Sequence, residues 1–208
     1  MARKKGFVPS SNSKHIKDNK ENQRKGPQQL RIIGGDWRSR RIRFADAPGL
    51  RPTMDRVRET VFNWLQWDIE GKLILDCFAG SGALGYEALS RSAKEVTFIE
   101  LNPKAANCIK ESLQSLEAHN AHIWQSDALV WLAQQTTLEP FDVIFLDPPF
   151  GKNLLAPAVE LISSRVKSGC LIYVEVEAGA DLSCIPNNWT EAKRKDGKEF
   201  SFMLFEVE

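Results

Sequence analysis

The stretch LDCFAGSGALGYEALSR, residues 75–91, decides the fold of this chain. It joins an apolar run to a helical segment through a loop in which Gly80, Gly82 and Gly85 have the spacing G-x-G-x-x-G. That spacing between a strand and a helix is typical of nucleotide-binding loops in open α/β folds. The stretch therefore predicts a β-α unit whose loop contacts a nucleotide-containing cofactor.

Apolar runs alternate with helical segments from Lys72 onward, and this alternation is typical of a mostly parallel sheet. A turn at Asp196-Gly197 separates the last two extended runs and predicts a closing antiparallel hairpin. The predicted parallel strands are KLILDC, EVTFIE, HIWQSD, FDVIFLD and GCLIYVEV, and the helices between them are ALGYEALSR, NPKAANCIKESLQSLEA, ALVWLAQQ and LLAPAVELISSRV.

The positive charge is concentrated at the N-terminal end. Residues 1–58 carry 16 Lys or Arg and 5 Asp or Glu, whereas residues 59–208 carry 12 and 22. Residues 1–29 have almost no apolar side chains to bury, which predicts a disordered basic leader. Two short runs flank Gly34-Gly35 and predict an arginine-rich hairpin within residues 30–50, which leaves residues 51–208 as the main domain. This charge distribution indicates a polyanionic partner.

The segment RPTMDRVRETVFNWL predicts a helix that Thr53 caps. Arg56 and Arg58 on this helix either contact the polyanion or pair with acids of the same helix.

The chain has four cysteines without C-x-x-C spacing, no signal-peptide core and no apolar run long enough to span a membrane. We therefore expect a reduced, cytoplasmic protein that holds no metal.

Four acids mark the ends of the first four predicted strands: Asp76, Glu100, Asp127 and Asp147. A strand buried on both faces tolerates a carboxylate only near its end, because an unpaired buried charge costs several kcal/mol. We therefore expect all four acids along the carboxyl edge of the sheet, where open α/β folds bind their ligands.

Asp76 distinguishes between two cofactors. An acid beside the glycine loop suits the ammonium and sulfonium groups of S-adenosylmethionine better than the pyrophosphate of NAD, which remains the alternative. Glu100 can accept the ribose hydroxyls of either cofactor. Asp127 can accept the adenine amino group of S-adenosylmethionine, or it can simply cap the helix that follows.

The motif IFLDPPF, residues 144–150, indicates the chemistry. Two prolines fix the backbone and remove two donors, so that carbonyls project into the crevice. Asp147 and the Pro148 carbonyl can hold both hydrogens of a nucleobase amino group while Phe150 stacks on the ring. The amino lone pair is then directed at a methyl donor by positioning and electrostatics. The base must be unpaired or flipped out to reach such a site.

Together these motifs resemble a known family. The Asp-x-Phe-x-Gly-x-Gly loop followed by Asp-Pro-Pro-Phe resembles the class I S-adenosylmethionine-dependent amino-methyltransferases. RIIGGDWRSRRI, LRPTMDRVRETVFNWL, LDCFAGSGALGYEALSR and FLDPPF together resemble the RsmD-type bacterial 16S ribosomal RNA methyltransferases.

This resemblance implies a Rossmann-like fold with a seven-stranded, mostly parallel sheet whose last strand is antiparallel, and an N-terminal β-hairpin that grips RNA. It implies methylation of the N2 of one guanine in 16S ribosomal RNA, position 966 in the family's RNA numbering. We expect the substrate to be a small-subunit particle and the protein to act as a monomer. Ser39 stands where the family pattern leads us to expect a glycine.

Three groups of site residues follow from the motifs and the resemblance. The target-base pocket would comprise Asp147, Pro148, Pro149 and Phe150. The S-adenosylmethionine site would comprise Arg51, Pro52, Thr53, Asp76, Phe78, Ala79, Gly80, Ser81, Gly82, Glu100, Leu101, Asp127 and Ala128. The RNA-binding residues would be Arg31, Trp37, Arg38, Arg40, Arg41 and Arg43.

Two other functions remain open from the sequence. A DNA adenine-N6 methyltransferase shares IFLDPPF, although 208 residues leave little room for a domain that reads DNA sequence. A non-catalytic RNA-binding module that retains the fold is the second, and the intact loop, acids and DPPF motif count against it.

Overall fold

The computed structural model describes Met1, residues 29–45 and residues 54–208. Most of the predicted leader and the expected cofactor residues Arg51, Pro52 and Thr53 lie outside these ranges. The strands are β1 (Gln29–Arg31), β2 (Arg41–Arg43), β3 (Leu73–Asp76), β4 (Glu95–Glu100), β5 (Ala121–Gln125), β6 (Val143–Leu146), β7 (Leu171–Glu177), β8 (Trp189–Asp196) and β9 (Phe200–Val207). The helices are α1 (Asp55–Trp64), α2 (Ala83–Ser90), α3 (Pro103–Ser115), α4 (Ala128–Gln134) and α5 (Leu155–Ser163).

Seven strands form one sheet in the order β5-β4-β3-β6-β7-β9-β8. Strands β3 to β7 are parallel, and β9 runs antiparallel to both β7 and β8. This confirms the predicted Rossmann-like sheet with a closing antiparallel hairpin. The alternation of strands and helices produces this order because each helix carries the chain back to begin another parallel strand.

The two faces of the sheet are covered by different elements. Apolar side chains of α1, α2, α3 and the β1–β2 hairpin form one buried cluster with one face, around Phe98, Phe145 and Tyr173. Helices α4 and α5 form the second cluster on the other face, around Ile144 and Ile172. Successive residues of a buried strand alternate between these two clusters, as the period of two requires.

The N-terminal hairpin exists, but its turn differs from the sequence prediction. Strands β1 and β2 are antiparallel, with Leu30 paired to Ile42, and residues 32–40 connect them. The Gly34-Gly35 pair therefore does not form a two-residue turn. Within the connection, Ser39 has a φ of 71°, in the left-handed region that favours glycine.

Helix α1 begins at Asp55 with Met54 as its N-cap, not Thr53 as predicted, and the Met54 side chain makes no capping hydrogen bond. The spacing of Val57, Val61, Trp64 and Leu65 in the sequence predicts one apolar stripe on this helix, and Val57, Val61 and Leu65 are buried. Trp64 packs at the edge of the same cluster, 5.2 Å from the Phe202 ring centroid.

All four cysteines are free thiols. Within the described ranges, no helix is long and apolar enough to cross a membrane. The same ranges contain no group of three or more His, Cys, Asp or Glu side chains that could hold a metal ion.

Candidate functional site

The predicted acids meet at one edge of the sheet. Strand β3 ends at Asp76, β4 ends at Glu100, and Asp147 directly follows β6. Asp127 comes two residues after the end of β5. Because these strands are parallel neighbours, the four acids line the carboxyl edge, where ligands of open α/β sheets bind.

The glycine loop turns tightly between β3 and α2. Gly82 has a φ of 79°, which an L side chain rarely adopts. Gly85 is required for a different reason, since a Cβ atom there would lie 2.0 Å from the Phe98 ring on β4. Helix α2 therefore packs unusually close to the sheet, and the amides of its first turn point toward the carboxyl edge.

Glu100 braces this loop. Its carboxylate accepts hydrogen bonds from the Gly80 amide at 2.7 Å and from the Asn102 amide at 2.6 Å. Burial raises the pKa of Glu100, while the two amides partly counteract the rise. The side chain is half-buried, and a carboxylate can accept further hydrogen bonds, such as those from ribose hydroxyls.

Asp76 lies beneath the start of α2 and is 2% exposed. Its carboxylate accepts the Gly85 amide at 3.3 Å. Burial raises the pKa of Asp76 to about 7, with a smaller contribution from the charge of Glu100. A cation placed beside this buried carboxyl group would stabilise its ionised form and lower its raised pKa. The ammonium group of S-adenosylmethionine is a fitting partner, whereas the pyrophosphate of NAD would oppose ionisation.

Asp127 is the N-cap of α4 and accepts hydrogen bonds from the amides of Leu129 and Val130. The capping alternative is therefore observed, and a contact with adenine stays a proposal. Leu101 is 64% exposed beside Glu100, and Ala128 is buried. In the glycine loop Ala79 and Ser81 are buried, while Phe78 is half-buried.

The DPPF segment follows β6 at the same edge. Asp147 is half-buried, Pro148 is buried, and Pro149 and Phe150 are exposed. Phe150 leaves 43% of its surface exposed, so that an aromatic face is available to a planar ligand. Because β6 lies directly beside β3 in the sheet, this segment adjoins the acid and glycine loop that suit the methyl donor.

The predicted RNA-binding residues of the hairpin share one property: the five arginines are exposed. Arg31 makes a long contact of 3.7 Å with the exposed Asp55, and such surface pairs contribute little energy. Trp37 is half-buried against the core. The exposed arginines are Arg31, Arg38, Arg40, Arg41 and Arg43.

A buried ion pair that the sequence reasoning missed holds the hairpin in place. Glu87 on α2 is fully buried and accepts hydrogen bonds from Arg58 at 3.1 Å and from the Ile33 amide at 2.7 Å. It also pairs with Arg91. The Arg58 guanidinium donates to the Arg31 carbonyl at 2.9 Å and to Asp55 at 2.6 Å. Arg58, only 1% exposed, therefore anchors β1 and is not an RNA contact.

A second missed pair lies on β7. The Tyr173 hydroxyl donates to the Glu175 carboxylate at 2.7 Å, and both side chains are buried. An acid within the apolar run LIYVEV was the available sequence signal. It resembles the signal that identified Asp76 and Asp147, but Glu175 precedes the strand end by two residues.

Comparisons with known proteins agree with this architecture. The family model described as "Conserved hypothetical protein 95" matches residues 30–206. The chain is 44% identical to ribosomal RNA small subunit methyltransferase D of Escherichia coli, over 88% of this chain and 92% of that protein. It is 45% identical to the protein of the same name from Haemophilus influenzae, over 86% and 94% of the two chains.

A solved structure from Escherichia coli, described as a putative methyltransferase, superposes with a TM-score of 0.79. It is 43% identical, and the match covers 87% of this chain and 99% of that one. The residues matched by the family model include the glycine loop and the DPPF segment, and they begin at Leu30 within the hairpin. This chain therefore belongs to the RsmD-type family of ribosomal RNA small subunit methyltransferases.

Proposed function

We propose that this protein transfers a methyl group from S-adenosylmethionine to the exocyclic N2 of a guanine in 16S ribosomal RNA, position 966 in the family's RNA numbering. We further propose that it acts in the cytoplasm as a monomer on a small-subunit particle. The observation that carries the proposal is the position of the DPPF segment on β6, directly beside the glycine loop and buried Asp76 on β3.

S-adenosylmethionine would supply an electrophilic methyl group, which is bonded to its positively charged sulfonium sulfur. Asp76 would attract its ammonium group, and Glu100 would accept hydrogen bonds from its ribose while bracing Gly80. The amides of the first turn of α2 and the exposed Leu101 would line the remainder of the site. The residues at this edge thus suit a cationic, nucleoside-bearing ligand.

The DPPF segment would hold the acceptor amine. Asp147 and the Pro148 carbonyl would accept its two hydrogens, and Phe150 would stack on the flipped-out base. Delocalisation makes a nucleobase amine a poor nucleophile, so holding its hydrogens favours the pyramidal nitrogen that attacks. The nitrogen would form its bond to the methyl carbon as the bond from that carbon to sulfur breaks, and Asp147 would accept the released proton.

The hairpin would orient the substrate. Its exposed arginines would contact phosphates without reading sequence, since phosphate contacts position a nucleic acid and base contacts specify it. The Glu87–Arg58 pair would keep that surface fixed relative to the methyl donor.

Mapping of methylated nucleotides tests this proposal. Small-subunit RNA from cells that lack the chain should lose one N2-methylguanine and regain it when the wild-type gene is restored, but not when Asp147→Ala is supplied. Purified protein, labelled S-adenosylmethionine and either small-subunit particles or duplex DNA form the second arm. Methyl transfer only to DNA would establish the adenine-N6 alternative. Tight RNA binding with no cofactor binding in titration calorimetry would establish the non-catalytic module.

A further inference from the structure

Two acids lie side by side where β6 ends: Asp147 directly follows β6, and Glu175 lies beside it within β7. The last register pair between these parallel strands is Leu146 with Val174, and the next residues are Asp147 and Glu175. Two positions earlier, Phe145 and Tyr173 pack against each other with ring centroids 6.0 Å apart. Because side chains alternate with a period of two, the side chains of Asp147 and Glu175 lie on that same face of the sheet.

Tyr173 fixes the orientation of Glu175. Its hydroxyl donates a 2.7 Å hydrogen bond to one carboxylate oxygen, and Glu175 is 7% exposed. Burial and the charges of Glu175 and Asp147 raise the pKa of Tyr173 well above its usual range, so the hydroxyl remains a donor at every physiological pH. The influence of both acids on one hydroxyl places all three groups in a single cluster.

This cluster matches the hydrogen-bonding edge of one nucleobase. Guanine presents two adjacent donor groups on its Watson–Crick edge, the N1–H and the N2 amino group. Adenine presents an acceptor at N1, and so does 2-aminopurine, which retains the N2 amino group. Two neighbouring carboxylates complement two neighbouring donors, and a carboxylate that faces an acceptor is repelled.

We propose that Glu175, oriented by Tyr173, is a specificity-determining residue that accepts the N1–H of the target guanine while Asp147 accepts hydrogens from N2. This inference rests on the proposed function and adds the group that recognises guanine. Tyr173 is then a positioning residue. A site built to bond a substrate N–H rejects an analogue that lacks it strongly, because the buried acceptor loses its partner.

The test compares guanine and 2-aminopurine at the target position of an otherwise identical 16S RNA substrate, with the full-length chain and S-adenosylmethionine. Wild type should prefer guanine in kcat/KM by about 100-fold or more. Glu175→Gln can still accept from Tyr173 through its amide oxygen, and its amide nitrogen can donate to N1 of 2-aminopurine. The preference should therefore fall by about 10-fold or more, through slower reaction of guanine and faster reaction of 2-aminopurine.

Glu177→Gln is the matched control, because Glu177 lies on the same strand and is exposed; its preference should equal that of wild type. Tyr173→Phe removes only the orienting hydroxyl and should narrow the preference while retaining some activity. It also serves as the second variant if Glu175→Gln does not fold. 2-Aminopurine also lacks the O6 atom of guanine, but this difference affects all variants alike. A change in the preference for guanine between variants therefore reports on the contact at N1.

Two results would overturn the inference. One is a wild-type enzyme that methylates 2-aminopurine as fast as guanine. The other is an unchanged preference in Glu175→Gln, or in Tyr173→Phe where that variant replaces it. Failure of the proposed function is distinct: wild type would then place no methyl group on N2 of guanine in this RNA.

Discussion

The carboxylate of Glu87 lies 3.1 Å from the guanidinium of Arg58, and neither side chain is exposed by more than 1%. The pair joins three elements, since Glu87 lies on α2, Arg58 lies on α1, and both bond the backbone of the hairpin at Ile33 and Arg31. An ion pair so fully desolvated depends on both partners, because either charge alone would be buried without compensation.

Glu87→Gln should therefore destabilise the protein by about 3 kcal/mol or more. Urea unfolding at neutral pH measures this as a lower transition midpoint. Glu59→Gln on the exposed side of α1 is the control, with an expected change within about 0.5 kcal/mol. A Glu87→Gln variant as stable as that control would show that the pair does not anchor the hairpin.

Asp76→Asn should stabilise the protein in the absence of cofactor, and the gain should depend on pH. Burial raises the pKa of Asp76 from its usual 3.8 to about 7, so the native state holds this proton more tightly than the unfolded state. The contribution of Asp76 to the free energy of unfolding of the wild-type protein consequently falls as pH rises from about 4 to about 7. The rise in pKa corresponds to up to about 4 kcal/mol, fully expressed above pH 7.

Chemical unfolding of both proteins across this pH range checks the prediction. The two curves should converge near pH 4 and separate above pH 7, with Asp76→Asn the more stable. The same variant should bind S-adenosylmethionine more weakly above pH 7 in titration calorimetry. Equal stability at all pH values would mean that Asp76 titrates normally.

Ser39→Gly should stabilise the hairpin. Ser39 has a φ of 71°, and the left-handed conformation costs an L residue about 1 kcal/mol that glycine avoids. Part of this gain is offset by the greater freedom of glycine in the unfolded chain. Thermal unfolding should show a small rise in Tm for Ser39→Gly and a fall for Ser39→Val, because a β-branched side chain tolerates this conformation poorly. A lower Tm for both variants would contradict the left-handed backbone conformation of Ser39.

Arg40→Gln/Arg41→Gln should weaken RNA binding and reduce its salt dependence. Each phosphate contact on single-stranded RNA contributes about 0.7 to the slope of log affinity against log salt, so loss of two contacts should lower the slope by roughly 1.4. Lys167 lies near the start of β7 and pairs with Asp142. The control variant Lys167→Gln should therefore leave the slope unchanged. The test is RNA binding at several salt concentrations, and an unaltered slope in the double variant would place RNA elsewhere.

Asp147→Ala should abolish turnover while leaving cofactor affinity nearly unchanged. Removal of a preorganised electrostatic contact of this kind costs about 100-fold or more in rate. Asp147→Asn keeps one acceptor oxygen and should retain more activity than the alanine variant. Single-turnover kinetics and calorimetry separate the two effects, and an alanine variant with wild-type turnover would remove Asp147 from the proposed mechanism.

The sequence predicted the sheet and its carboxyl edge because both depend on local signals. Apolar runs in the sequence predict buried parallel strands, and a carboxylate such as Asp76 or Asp147 indicates where each run must end. The sequence also predicted the closing hairpin, since Asp196-Gly197 has the composition that a tight turn requires.

Tertiary contacts determined what the sequence could not predict. Gly34-Gly35 has the composition of a turn, yet a Cβ atom on Gly35 would lie 1.7 Å from the Ser90 carbonyl oxygen, so glycine permits close packing there. The Glu87–Arg58 pair joins residues 29 positions apart, and no local pattern marks Arg58 as buried rather than RNA-facing. Thr53 was a reasonable cap by composition, but α1 begins after Met54.

Helix α2 connects the two halves of the proposed site. Every one of its eight residues is buried. The Gly85 amide near its start bonds Asp76, and the Ser90 carbonyl at its end accepts the Asp36 amide of the hairpin at 2.7 Å. Eight helical residues span about 12 Å, and packing on all sides prevents this length from changing.

In the proposed enzyme, α2 would fix the spacing between the two binding functions. The methyl donor would bind at its N-terminal end, and the exposed arginines of the hairpin, whose connection is bonded to its C-terminal end, would bind phosphates. The substrate would then be selected by the distance between a reactive base and its backbone as well as by the base itself. RNA in which that distance is lengthened or shortened would meet the arginines or the methyl group, but not both.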